Sequence, residues 1–197
     1  MNTIKSAFIH IPKTGGTTLI NTPLYVNYHW KEIEDHSTIL ENEENNSRIF
    51  DNVFTYTIMR NPFERMLSCF YSSNNNLNGK EYDHIPFSEY VKIVTGIEHD
   101  DARFHKHWAT QMSYIKDVND KVKIDYVGRT EDLLNSVNEI LEAMGTTERL
   151  NRVKWLNKSG KRTHYSDYYD DETIKYVEEY YEEDLDFLKI KFEKGKT

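Results

Sequence analysis

Two segments of this chain each run an apolar strand straight into a turn that suits helix entry. In the first, Ile4–Ile11 reads as a buried β-strand. It breaks into Pro12-Lys13-Thr14-Gly15-Gly16-Thr17-Thr18, and a helix is predicted from Thr17 to about Asn21, limited by Pro23. In the second, Val53–Met59 (VFTYTIM) is β-branched and aromatic, so it too reads as a strand. Arg60 follows, and then Asn61-Pro62-Phe63-Glu64 opens a helix. Asn61 is a good N-cap, Pro62 fits the first turn, and Glu64 can return the capping bond. Met66, Leu67, Phe70 and Tyr71 give that helix its apolar face. A third, shorter strand is predicted at Ile124–Val127. A helix follows it, patterned by Leu133, Leu134, Val137, Ile140, Leu141 and Met144 and ended by Gly145. Strand–turn–helix units in series imply an α/β fold with a mostly parallel sheet. No internal repeat or linker interrupts the chain, so its 197 residues are expected to form one domain, 1–197.

The remaining elements frame this core. Ser37 can cap a short helix through the acidic stretch 41–44, and 74–85 reads as a polar loop. Helices are predicted near 86–95 and 100–114, and a last amphipathic one carries Ile174, Val177, Tyr181, Leu185 and Leu188. A polar, basic loop occupies 153–168. The acidic clusters at 41–44 and 182–186 read as solvated faces. The formal net charge of −8 argues against a general nucleic-acid binder, which needs a broad basic surface, so an anion site here must be local. The single Cys69 excludes an internal disulfide framework and reads as core. No segment approaches the ~20 apolar residues of a membrane span, and no signal-peptide pattern opens the chain. The expectation is a soluble, cytoplasmic protein with no membrane span. The oligomeric state is not legible.

The first turn carries chemistry. In an α/β sheet the loop after a strand sits at the carboxyl edge, where ligands bind. Gly15 and Gly16 let the backbone approach an anion. The next helix N-terminus adds amides and partial positive charge, Thr17 and Thr18 add hydroxyls, and Lys13 adds a full charge at the mouth. A Walker loop would place its lysine after the glycines and would want an acidic strand end for magnesium. Here the lysine precedes the glycines and the second strand ends in Arg60, which suits a second phosphate rather than a metal. Ser68 lies seven residues beyond Asn61 and shares a helix face with it.

HIPKTGGTT followed by RNPFERMLS resembles the two cofactor motifs of sulfotransferases that use 3′-phosphoadenylyl sulfate (PAPS). The closest likeness is to the carbohydrate group, with the heparan sulfate 2-O- and 6-O-sulfotransferases and their bacterial and viral relatives. The resemblance implies the P-loop-like, three-layer form of the fold, with helices flanking the central sheet. It implies that Lys13, Thr14, Gly15, Gly16, Thr17 and Thr18 hold the 5′-phosphosulfate, and that Arg60 and Ser68 hold the 3′-phosphate. A weaker likeness covers DYVGRTEDL at 125–133 and the loop LNKSGKRTHYSDYYDDETI, and it makes Lys158, Ser159 and Arg162 candidate contacts to the nucleotide end. Adenosine 3′,5′-bisphosphate is then the product, and no metal is required.

Sulfuryl transfer to an alcohol needs a base for the hydroxyl proton and charge stabilisation at the leaving oxygen. In the resembling family the base lies between the two motifs, just ahead of the second strand, which points to His36 in EDHSTILEN. His29 in NYHW is the rival, and His10, beside the loop, is expected to pack or to orient Lys13. His105 and His107, two apart on a helix, point to different sides and do not suit a shared zinc. His107 and Gln111, like His29, are candidate acceptor contacts. The expected activity is transfer from PAPS to a hydroxyl, a carbohydrate's first, with His36 and Lys13 catalytic. A P-loop-like kinase or other NTPase, and a non-catalytic anion- or glycan-binding module, are the alternatives. The chain lacks the membrane anchor and luminal cysteines of the animal Golgi enzymes, which suggests a bacterial or viral-type protein. Its net charge favours a neutral saccharide over a highly anionic one.

Overall fold

Three strands form one sheet: β1 (Lys5–Ile9), β2 (Val53–Met59) and β3 (Tyr126–Arg129). All pairs are parallel in the order β1-β2-β3, with Ala7 opposite Thr55 and Ile58 opposite Gly128. The structure, a computed structural model, describes residues 5–28, 36–46, 48–73, 85–96, 105–154 and 163–195. The chain groups into two compact units. One is Met1–Arg60 with Gln111–Lys158, and the other is Asn61–Thr110 with Ser159–Thr197. With ten α-helices among the described residues, this is the α/β fold that the alternation of strands and helices predicts.

The first unit holds the sheet. Both β1 and β2 are buried almost throughout, as expected for parallel strands covered on both faces. Helix α1 (Gly16–Leu19) follows the first turn, and α2 (Pro23–Tyr28) follows it in turn. Pro23 therefore opens a new helix, a position where its missing N–H costs nothing. Helix α3 (Ile39–Asn45) is capped by Thr38, one residue after the expected Ser37. Thr38 Oγ1 accepts from the Glu41 N–H at 3.0 Å, and Glu41 Oε2 accepts from the Thr38 N–H at 2.7 Å. Ser37 instead accepts from the Asn42 side chain. Strand β3 pairs two residues later than its apolar pattern suggests. The Asp125 carboxylate takes both the backbone N–H and the hydroxyl of Thr55, so regular pairing starts at Tyr126.

Helix α8 (Leu133–Ala143) lays Leu133, Val137, Ile140 and Leu141 into a core with Phe8, Leu19, Leu24, Tyr56 and Ile58. Each such side chain contributes roughly 2 kcal/mol when fully buried. Gly128 permits the close approach. A Cβ there would lie 2.6 Å from Ile58 Cδ1 and 2.7 Å from Ser136 Cβ. Ser136 Oγ then accepts from the Arg129 N–H at 2.8 Å and pins the end of β3. Gly145, at φ +74°, ends the helix as predicted.

The second unit is helical and aromatic. It contains α4 (Pro62–Ser73), α5 (Phe87–Gly96), α6 (His105–Trp108), α9 (Asp171–Tyr180) and α10 (Glu182–Leu188). Over its described residues, from His105 on, the helix expected near 100–114 is two pieces, since α7 (Gln111–Ile115) starts anew after Ala109 and Thr110. The last helix also breaks, at Tyr181, whose buried hydroxyl donates to the Trp108 carbonyl at 2.7 Å. Tyr165–Tyr168 forms a 3-10 turn at the end of the segment read as a basic loop. Asn61 caps α4 as expected, accepting from the Phe63 N–H at 2.9 Å. Cys69 is buried in this core, its Sγ donating to the His107 carbonyl. Arg65 is fully buried. Its guanidinium donates to the Ala109 carbonyl at 2.8 Å and the His107 carbonyl at 3.1 Å, and it lies over the Tyr181 ring.

Candidate active site

The loop after β1 turns on two residues in the left-handed region, Lys13 at φ +70° and Gly15 at φ +90°. For glycine this is free. For lysine it costs about 1 kcal/mol. The carbonyls of this turn are held against the protein. Arg60 Nη1 donates to the Lys13 carbonyl at 3.3 Å, and Thr130 Oγ1 donates to the Thr14 carbonyl at 2.6 Å. Buried Thr14 uses its own hydroxyl on the Ile11 carbonyl at 2.9 Å. In a trans peptide the C=O and N–H point opposite ways. Carbonyls turned inward therefore turn the Thr14 and Gly15 amides outward. No acceptor among the described residues takes the amide hydrogens of Thr14, Gly15, Gly16 or Thr17. That is the donor pattern of an anion nest. Thr17 is exposed and Thr18 buried. Helix α1 is a single turn, so the loop amides are the main donors and its macrodipole adds little.

Arg60 is positioned by Gln111. The fully buried Gln111 amide accepts from the Arg60 N–H and donates to the Arg60 carbonyl, both at 2.8 Å. This two-point clamp continues the strand-like pairing one residue past β2. Gln111, read from sequence as an acceptor contact, thus spends both ends of its amide on the main chain of Arg60.

His36 and His10 form a pair. Their ring centroids are 4.1 Å apart, and His36 Nδ1 lies 3.0 Å from the His10 carbonyl. A carbonyl can only accept, so Nδ1 carries the hydrogen and the neutral ring presents its lone pair at Nε2. His36 sits at φ +59°, a second non-glycine residue in the left-handed region. The His10 ring, itself almost buried, stacks on Phe8 at 5.1 Å. It lies so close to Gly16 that a Cβ there would be 1.7 Å from His10 Nε2. His10 therefore orients His36 through its carbonyl and seats the loop through its ring. The sequence reading expected it to pack or to orient Lys13, and its ring does pack, on Phe8 and against Gly16. Tyr56 stacks on Phe8 at 5.4 Å, and burial pushes its phenol far up, which keeps it neutral and part of the core.

At the carboxyl ends of β1 and β2, the Arg60 side chain is thus bonded to the Lys13 carbonyl of the loop, and the His36 ring to the His10 carbonyl just ahead of it. The family model described as the sulfotransferase family matches residues 3–191. The chain belongs to the sulfotransferase family. No curated protein and no solved structure gives a match. The protein is thus an enzyme of sulfuryl transfer, and relatives in this family generally draw the group from PAPS.

Ser68 stands half-buried on α4 in the second unit, and half-buried His107 on α6 gives its carbonyl to Arg65 and Cys69. His29, Lys158, Ser159 and Arg162 lie outside the described residues. No helix among the described residues is long and apolar enough to cross a membrane. Sequence reasoning missed the clamp from Gln111, the contact of His10 with Gly16 and the brace from Thr130. Gln111 and Thr130 reach across 51 and 116 residues, and the His10 ring meets a glycine that has no side chain, so none of the three leaves a periodic signal.

Proposed function

We propose that this sulfotransferase moves a sulfuryl group from PAPS to a hydroxyl, a carbohydrate's first, with His36 as the base. Residues 1–197 are read as a single sulfotransferase domain, a reading supported by a family match that spans both compact units. The donor set fits the group. The outward amides of the Lys13–Thr18 loop and the threonine hydroxyls suit the 5′-phosphate, and Arg60 suits the 3′-phosphate with Ser68. Lys158, Ser159 and Arg162 are assigned to the nucleotide end, and His29 and His107 to the acceptor. Gln111, read from sequence as an acceptor contact, instead serves the 3′-phosphate, because its amide holds the Arg60 main chain.

The donor, when bound, supplies a sulfur that an alcohol oxygen can attack. His36 Nε2 takes the hydroxyl proton as the acceptor oxygen bonds to sulfur. The bond from sulfur to the bridging oxygen breaks, and the electron pair stays on the leaving phosphate. Lys13 offsets that charge, and adenosine 3′,5′-bisphosphate departs. The His10 carbonyl holds Nδ1–H throughout, so Nε2 is the ring position that gains the proton. The observation that carries this reading is His10, which binds the base with its carbonyl while its ring abuts Gly16 of the loop. No metal enters the scheme. The assigned setting is the cytoplasm of a bacterial or viral system.

A labelled-sulfate transfer screen from PAPS over neutral and anionic saccharides tests this. The expected result is transfer to at least one saccharide. His36→Ala should lose about 10²–10⁴ in turnover, the range for a general base, while still binding adenosine 3′,5′-bisphosphate. Full activity in His36→Ala with loss in His29→Ala would reassign the base. Labelling of proteins or small phenols but of no saccharide would reassign the acceptor.

A further inference from the structure

Thr130 stands outside the residues assigned to the reaction, yet it touches the loop at its turning point. It opens the 3-10 turn after β3 and is almost fully buried. Its hydroxyl has one hydrogen and two carbonyls in reach, Thr14 at 2.6 Å and Met59 at 3.2 Å. The shorter contact takes the hydrogen. Thr130 is held in turn, because Gly128 lets α8 close on β3 and Ser136 bonds the Arg129 main chain on both sides, at 2.8 and 3.2 Å. The hydroxyl is thus presented from a fixed strand end. The peptide it holds is Thr14–Gly15, and its N–H belongs to Gly15, one of the amides without an acceptor among the described residues.

We infer that Thr130 is a positioning residue for 5′-phosphate recognition, fixing the Thr14–Gly15 peptide so that the Gly15 N–H faces the anion. This rests on the reading that the Lys13–Thr18 loop holds the 5′-phosphate. A flexible turn would sample peptide flips and lose its directed donor. A buried hydroxyl on the opposite carbonyl removes that freedom before the ligand arrives. Thr130 therefore contributes to the part of affinity that depends on the 5′-phosphate, and not to the rest of the nucleotide.

The test compares adenosine 3′-monophosphate with adenosine 3′,5′-bisphosphate by calorimetry, on the full chain and on Thr130→Val and Thr130→Ser. Thr130→Val keeps the shape and removes the donor. It should weaken the bisphosphate about tenfold, the effect of orphaning one buried acceptor, and leave the monophosphate unchanged within about twofold, a margin set by the additivity expected of sites that do not interact. Thr130→Ser keeps the hydroxyl and should hold both affinities. A merely structural staple predicts equal losses for the two ligands, and that result overturns the proposal, as does an unchanged bisphosphate affinity. If Thr130→Val does not fold, Thr130→Ala carries the same comparison. If the unmodified protein gains nothing from the 5′-phosphate, the loop assignment itself fails and this proposal with it. A gain that persists in Thr130→Val overturns the Thr130 role alone.

Discussion

Replacing Gly16 by alanine sets two known effects against each other. Gly16 is the first residue of α1, and its backbone lies in a region any residue adopts. Helix propensity alone would favour alanine by up to about 1 kcal/mol. The added Cβ, however, would sit 1.7 Å from His10 Nε2, 2.2 Å from Cδ2 and 2.6 Å from Cε1. Those atoms are the face of a ring, not the tip of a flexible chain. The ring cannot simply slide aside, because Phe8 stacks on it at 5.1 Å and His36 lies at 4.1 Å. Overpacking of this kind costs typically 1–3 kcal/mol, and an overlap this deep belongs at about 3. The clash wins, and Gly16→Ala is expected to lose about 2 kcal/mol net of the propensity gain. His10→Ala alone should lose a comparable amount, roughly 2 kcal/mol, through its cavity and lost stacking. Combined, the two substitutions relieve each other. The double variant should be about 3 kcal/mol less destabilised than the sum of the singles. Urea denaturation of the four proteins measures this directly. A Gly16→Ala variant at full stability, or a double variant as unstable as the sum, would refute the contact between ring and loop.

Two further outcomes follow from the same kind of contact. Gln111→Leu leaves the Arg60 N–H and carbonyl without their clamp. It should cost about 2 kcal/mol in stability and weaken adenosine 3′,5′-bisphosphate, which denaturation and calorimetry read separately. The cap of α9 should be pH-dependent. The Thr173 N–H and hydroxyl hold the Asp170 carboxyl below its ordinary 3.8, so its contribution is full above that value and fades as pH falls through the lowered one. Asp170→Ala should therefore cost about 1 kcal/mol near neutral pH, and the difference from the unmodified protein should shrink in strong acid. A penalty that stays constant down to strong acid would contradict the charged cap.

The strands were legible because their residue types speak locally. VFTYTIM is β-branched or aromatic at every residue but its last, and β2 runs over those residues. Where a polar side chain intervened, the pattern slipped. Asp125 sits beside an apolar residue in sequence but spends its carboxylate on Thr55, so β3 starts late. The final amphipathic stripe continues through Tyr181, yet the helix breaks there, at φ −108° and ψ 26°, where the tyrosine hydroxyl also reaches the Trp108 carbonyl. The loop chemistry was legible for a similar reason, since glycines, lysine and threonines lie side by side. The supports were not. Thr130 meets Thr14 across 116 residues and Gln111 meets Arg60 across 51. Gly16 looked necessary for an anion's approach, and the structure adds that the His10 ring already occupies the place of its side chain.

The central claim is that this loop and Arg60 hold a nucleotide phosphorylated on both sides of its ribose, with no metal between them. Calorimetric titration of the unmodified protein with adenosine 3′,5′-bisphosphate, beside ATP with magnesium, tests it most directly. The account predicts that the bisphosphate binds without magnesium and more tightly than magnesium–ATP. A preference for magnesium–ATP would contradict it.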